Sequence, residues 1–290
     1  MRKVLISLLL ACMTLCCLAP AQTGASRSSA PVPPATFFSF DFPGATNTQA
    51  TAINIEGKIV GRYTSADGSQ HGFLLNGTQF KSIDVAGATS TDVTWINRYD
   101  QVSGTYNTLD GSAHAFVLSP GVFTTIDFPG TQATLGFGVG DDGDVVGIAF
   151  PNGLLKGYLV RHGAFSTLTF PGADSTLPTM AVGQRIVGGY FTGSIGQGFL
   201  RNGSTYTSIG CPGDGNVFLS GLDPAGDMVG GVNTLDGNQH GLLVRNGSCI
   251  LVDFPGGSNT YANGIASGNI VGRYTDAGGN VHGFLAVGVK

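Results

Sequence analysis

The chain has 290 residues, of which 47 are glycine and only 11% are charged, with 14 Lys and Arg against 18 Asp and Glu and a formal charge of −4. A surface this acidic and this sparse in basic residues argues against nucleic acid as a partner. Glycine far above its usual ~7% suits many short strands joined by tight turns and argues against long helices.

Residues 1–21 read as a secretory signal, with basic Arg2 and Lys3, an apolar run from Val4 to Leu18 and the small-residue ending Ala19-Pro20-Ala21. That run is too short to span a membrane, and no second apolar segment of about 20 residues follows. The expected product is therefore exported, secreted or periplasmic, with no membrane span. A lipoprotein box at Leu9-Leu10-Ala11-Cys12 is the weaker alternative, because the apolar stretch continues past Cys12. Loss of Arg2 and Lys3 with the signal moves the formal charge to −6. Residues 22–36, rich in Ser and Pro, have the composition of a flexible leader. The folded domain is expected over 37–290.

A fixed period governs the rest. The turn element Asp41-Phe42-Pro43-Gly44 returns at Asp84 to Gly87, Asp127 to Gly130, Phe170 to Gly172, Cys211 to Gly213 and Asp253 to Gly256, with glycines 43, 43, 42, 41 and 43 apart. Val60-Gly61 keeps the same beat through Ser103-Gly104, Val146-Gly147, Val187-Gly188, Val229-Gly230 and Val271-Gly272. Each copy holds four short apolar or alternating runs, in the first copy Gln49 to Asn54, Lys58 to Tyr63, Gly72 to Leu75 and Phe80 to Val85. Four strands per ~40 to 45 residues is the blade of a β-propeller. The last copy stops after its third strand, while the chain opens with an orphan fourth-strand segment, Phe38 to Phe42. The expected fold is thus an all-β, six-bladed β-propeller closed by the N-terminal strand pairing in the last blade, which removes a free edge.

A His at the start of the third strand is followed 13 residues later by an Asp at His71 and Asp84, His114 and Asp127, and His240 and Asp253. The spacing places each pair directly opposite across a hairpin. Copies three and four have Lys156 and Gln197 instead. His282 has no Asp downstream, and ring closure would bring Asp41 to the matching place. Four equivalent pairs are expected to be buried braces of the outer hairpins rather than one active site.

The elements His71-Gly72-Phe73-Leu74 and His114-Ala115-Phe116-Val117, with the preceding Gly57-Lys58-Ile59-Val60-Gly61 run, resemble the HAF-type bacterial extracellular repeats over essentially all of residues 38–290. The resemblance implies an exported repeat protein and carries no catalytic residues to transfer. The His to Asp bracing is also similar to that of WD-repeat propellers, although no Trp-Asp dipeptide occurs.

Loops such as Ser65 to Gln70 and Thr46 to Thr48 gather on one face and are rich in Ser, Thr, Asn and Asp, suited to a sugar or peptide and equally to their own turns. Arg62, Tyr63, Asp174, Arg273 and Tyr274 are the candidate ligand rim. No catalytic motif, metal-ligand spacing or cofactor motif is present in the sequence. Two cysteines outlast the signal, Cys211 and Cys249. An even pair in an oxidising compartment suggests a disulfide, but the two are expected at opposite ends of fourth strands in adjacent blades, about 15 Å or more apart, and so unbridged. The function expected is a non-catalytic binding or interaction module for glycan or cell-envelope ligands. A propeller hydrolase or lyase at the pore and a structural surface protein are the alternatives.

Overall fold

The alternation read above becomes 24 strands among the described residues. The computed structural model describes residues 35–211, 215–234 and 237–289, so the signal and nearly all of the leader lie outside the described residues. After β1 (Thr36–Phe40), blade 1 comprises β2 (Asn47–Ile53), β3 (Ile59–Thr64), β4 (Gln70–Asn76) and β5 (Gln79–Ile83). Blade 2 follows with β6 (Ser90–Ile96), β7 (Val102–Asn107), β8 (Ala113–Ser119) and β9 (Val122–Ile126). Blade 3 is β10 (Thr134–Val139), β11 (Val145–Ala149), β12 (Lys156–Arg161) and β13 (Ala164–Leu168), with a single 3-10 turn at Pro151–Gly153. Blade 4 is β14 (Ser175–Val182), β15 (Arg185–Thr192), β16 (Ile195–Asn202) and β17 (Thr205–Ile209). Blade 5 is β18 (Val217–Leu222), β19 (Met228–Asn233), β20 (Gln239–Arg245) and β21 (Ser248–Leu251). Blade 6 is β22 (Ser258–Ala266), β23 (Asn269–Thr275) and β24 (Val281–Val287), completed by β1 in the order β1-β24-β23-β22.

All six sheets are four-stranded and antiparallel, and the first strands of successive blades touch one another all the way round. The fold is a closed six-bladed β-propeller. Its seam is the pairing of β1 with β24, in which Ser39 faces Phe284 and Phe40 faces Gly283.

The repeated Val-Gly marker has a steric cause. A Cβ on Gly61 would lie 2.0 Å from the Gln49 carbonyl oxygen and 2.7 Å from the Phe73 ring, which is fully buried. Third-strand aromatics at Phe73, Phe116, Tyr158, Phe199 and Phe284 fill the blade interior, and the second strand passes beneath them without a side chain.

Between blades the outer strands meet through rings. Phe42 packs edge-on against Phe80 at 5.4 Å, Phe128 against Phe165 at 5.3 Å, Phe170 against Tyr206 at 5.5 Å and Phe254 against Phe37 at 5.8 Å. Each pair joins the residue just past one blade's fourth strand to the second residue of the next blade's fourth strand. At the junction of blades 4 and 5 those two positions are Cys211 and Cys249, and they form a disulfide with Cα atoms 5.9 Å apart. The sequence-based expectation of two free thiols is therefore overturned. It treated the four strands of a blade as parallel rods. Strand-to-strand twist of about 20 to 25° accumulates over three steps, so the outer strand runs around the rim and its end swings to the start of its neighbour.

Candidate functional site

Every first strand carries a β-bulge at one equivalent place, for example between Ala50 and Ala52 and between Val93 and Trp95. A bulge re-aims the extra residue, and here the six extra residues, Thr51, Thr94, Phe137, Thr179, Ser220 and Asn263, all turn to a cavity on the axis. Five of them also bond to the next blade. Thr51 Oγ1 donates to the Val93 carbonyl at 2.9 Å, Thr94 Oγ1 to that of Phe137 at 2.6 Å and Thr179 Oγ1 to that of Leu219 at 3.0 Å. Ser220 Oγ bonds the Tyr261 hydroxyl at 3.1 Å, and Asn263 Nδ2 donates to the Ala50 carbonyl at 2.8 Å across the seam. Phe137 interrupts the circuit with an apolar side chain.

The cavity has a volume of about 780 Å³, within the ordinary range of small-ligand sites. Trp95 forms its floor. This residue is 5% exposed, lines both the upper cavity and a smaller one of about 280 Å³ below, and reaches across the axis until its Cη2 would lie 3.3 Å from a Cβ on Gly221 in the opposite blade. Its counterparts in the other blades are Ala52, Gly138, Met180, Gly221 and Gly264. The sole tryptophan thus plugs the channel and leaves a cup.

The wall of the cup is divided in two. Facing pairs on the first two strands are Gln49 with Arg62, Asp92 with Thr105 and Tyr261 with Arg273 in blades 1, 2 and 6. In blades 3, 4 and 5 the same places hold Leu135 with Ile148, Leu177 with Gly189 and Phe218 with Gly231. The glycines there make room for rings: a Cβ on Gly189 would stand 2.3 Å from the Phe218 ring, and one on Gly231 would stand 2.3 Å from that of Tyr261. Phe137, Phe191 and Leu155 extend the apolar half.

On the polar half Arg62 donates to Asp92 Oδ2 at 2.7 Å and to Gln49 Oε1 at 3.0 Å. Asp92 Oδ1 is buried with no hydrogen-bond partner among the described residues. Arg273 differs from Arg62. It donates to Gln239 Oε1 at 3.3 Å, lies over the Tyr261 ring at 5.6 Å and has no carboxylate partner among the described residues. Burial first, and repulsion from Arg62 second, push its pKa down. Asp174 sits on the far wall, where Oδ2 accepts the Gly193 N–H at 2.7 Å.

No family model matches this chain, and no curated protein matches it. Solved structures do. A protein of Agrobacterium tumefaciens described as a TolB is 13% identical with a TM-score of 0.54, covering 83% of this chain and 98% of its own. The Aleuria aurantia lectin, solved with a fucosylated disaccharide, is 12% identical with a TM-score of 0.51, covering 83% and 91%. The β-propeller domain of the Pyrococcus furiosus Trilobed protease, described as having an open velcro topology, is 10% identical with a TM-score of 0.51, covering 82% and 79%. At these identities the likeness is one of fold, and in this chain β1 closes the ring.

Of the rim residues expected from sequence, Arg62 and Asp174 line the cup and Arg273 stands beside it. Tyr63 and Tyr274 do not. Successive strand residues face opposite sides, so each tyrosine points into the blade interface: Phe42 stacks on Tyr63 at 3.7 Å and Phe254 on Tyr274 at 3.7 Å. The aromatic half of the cup was missed because Phe137, Phe191 and Phe218 read as ordinary strand hydrophobics. Their signal is irregularity, since they break the repeat at positions where blades 1 and 2 are polar.

The four His to Asp contacts form at 2.7 Å for His71 and Asp84, 2.8 Å for His114 and Asp127, 2.8 Å for His240 and Asp253, and 2.8 Å for His282 and Asp41. They lie at the outer rim and are only partly buried, with the His71 and Asp84 side chains 29% and 48% exposed. Buried braces were expected. The fourth strand ends at the blade's edge, so the Asp just beyond it meets water. Three of the histidines also stack on a second-strand tyrosine, as His71 does on Tyr63 at 5.0 Å. Elsewhere Asp141 pairs with Arg98 at 2.7 Å and Asp144 with Arg161, and no group of three metal-ligating side chains occurs among the described residues.

His282 is distinct among the four. Its Nδ1 faces Asp41 and its Nε2 faces Asp276 at 3.2 Å, so the ring donates from both nitrogens only as the imidazolium. Burial opposes that charge, but the hydrogen bonds to Asp41 and Asp276 outweigh it and raise the pKa above the ordinary 6.5. A raised folded-state pKa stabilises below about 6.5, and the contribution is lost as pH climbs through the folded value. Asp276→Ser is therefore expected to lower the His282 pKa in an NMR titration. The difference in Tm between wild type and variant should shrink between pH 6 and pH 9, and a constant difference would remove the assignment.

Proposed function

We propose that this chain is an exported, non-catalytic binding module that holds one ligand of cell-envelope or glycan chemistry in the axial cup. The observation that carries the reading is the cup's asymmetry inside a regular ring. Blade interiors repeat from copy to copy, whereas the facing pairs of the first two strands around the cup differ in every blade, as a site for one ligand would require. The fold shared with a sugar-bound lectin supports carbohydrate among the ligands. Export is supported by the signal-like N-terminus and by the Cys211 to Cys249 bond, which persists in oxidising compartments. The resemblance to HAF-type repeats points the same way.

The same asymmetry is what a hydrolase or lyase would need, which makes that the second reading. Its groups are less suited to the work. The hydroxyl of Tyr261 is pushed up to about 12 by burial and keeps its proton near neutrality. The Asp92 carboxylate is tied through Oδ2 to Arg62.

Trp95 is the only tryptophan and forms the cup floor, so its emission reports occupancy. A glycan array and peptidoglycan fragments presented to the protein without its signal should yield a binder that alters Trp95 emission. Ser194→Trp, at an exposed position on the mouth, should weaken that binder tenfold or more by calorimetry, a readout the added tryptophan does not disturb. Binding indifferent to Ser194→Trp would place the ligand elsewhere, and turnover of a bound compound would favour the enzyme.

A further inference from the structure

We propose that the ligand of the cup is an amphiphilic carboxylate, with its head at the edge of the cup against Arg273, which stands beside the lining residues Gln239 and Tyr261, and its apolar body against Leu177, Phe191 and Phe218 opposite. This narrows the reading of the cup as the binding site and rests on it.

The first support is an imbalance of charge. Arg62 and Arg273 occupy equivalent positions, and each is within electrostatic reach of the other. Arg62 has its carboxylate in Asp92, whereas among the described residues Arg273 has only a neutral amide oxygen and a ring face. A half-buried guanidinium without a counter-charge is destabilising on its own and gains most from a planar anion that takes two parallel N–H bonds. Burial and repulsion between the two guanidinium groups both strain this arrangement, and an incoming carboxylate relieves both.

The second support is the wall opposite. Blades 3, 4 and 5 present Leu135, Ile148, Leu177 and Phe218 to the axis with hardly a polar side chain at those places. A polyhydroxylated sugar lying against those four side chains would lose water from its hydroxyls without gaining partners from them, whereas an alkyl or aryl body buries apolar area. Leu155 and Phe191 also line the cup on that side, so the apolar wall extends beyond the facing pairs. Asp174, the acid on that side, has one oxygen engaged by the Gly193 N–H.

Free small acids and the carboxy-terminus of an apolar peptide share this chemistry. Calorimetry with the signal-free protein separates them, using cinnamate against cinnamamide, decanoate against decanamide, and a tetrapeptide ending in phenylalanine as its free acid against its amide. At least one acid should bind about tenfold or more tightly than its amide, the worth of one charge-assisted pair, and the tightest acid identifies the source. Arg273→Met should erase the difference between acid and amide while leaving the amide's affinity unchanged. Equal binding of acid and amide, a preference that survives Arg273→Met, or no binding of any acid would overturn the proposal. A neutral glycan whose binding Ser194→Trp abolishes would overturn it while leaving the cup as the binding site, and loss of every cup ligand would remove both.

Discussion

Deletion of residues 1–42 is expected to abolish the closed ring, with aggregation in place of a single monomeric species on gel filtration. Residues 36–40 supply the fourth strand of blade 6. Without them the backbone groups of β24 form a bare edge, which templates pairing between chains. Packing is lost with the hydrogen bonds. Phe37 packs against Phe254 and Phe284 at 5.8 and 5.9 Å, Phe40 against Phe73 and Phe80 at 6.5 and 6.2 Å, and Phe42 stacks on Tyr63. Removing three such rings at about 3 to 5 kcal/mol each matches or exceeds the 5 to 15 kcal/mol that holds a typical domain together. Deletion of residues 1–34 alone should leave thermal unfolding unchanged. The decisive variant restores the strand elsewhere. Because Thr36 pairs with Val287, residues 36–45 appended after Gly288 through a short turn should rebuild blade 6 as an ordinary hairpin and recover the monomer. A chain lacking 1–42 that unfolds at the wild-type temperature would refute closure by β1.

Breaking the Cys211 to Cys249 bond should have the next largest effect. The two are 38 residues apart in sequence, and cross-linking a loop of that length removes about 4 kcal/mol of denatured-chain entropy on the polymer estimate, with about 2 to 4 typical. Cys211→Ser should lower stability by that order and should accelerate unfolding at the junction of blades 4 and 5, visible as faster amide exchange in β17 and β21. Cys211→Phe with Cys249→Phe is the informative partner. The ring pair found at four other junctions would then occupy this one and should return part of the loss, as no isolated serine can. If reduction by dithiothreitol leaves the denaturation midpoint unmoved, the bond contributes nothing to the folded state.

The cup rests on positions where the repeat is irregular, and this explains both what could be read and what could not. Equivalence between copies is a one-dimensional property. The spacing of Asp41, Asp84, Asp127 and Asp253 against the four histidines gave the hairpin register, and the orphan segment around Phe40 gave the closure. Whether Cys211 meets Cys249 depends instead on how far the outer strand has rotated from the inner one, a quantity carried by accumulated twist and written in no single residue. The burial of Tyr63 beside the pore-facing Arg62 was legible from alternation alone, and was missed by treating the two neighbours as one rim.

The sequence by itself determined the number of blades, the strand types, the seam and the four His to Asp contacts, because each follows from counting residues between repeated elements. Only the tertiary structure decided that the six bulge residues converge, that Trp95 crosses the axis to make a floor, and that Arg273 stands without a carboxylate among the described residues. Those facts depend on distances between side chains from opposite blades, and such distances are set by the closure of the whole ring rather than by any local run of amino acids.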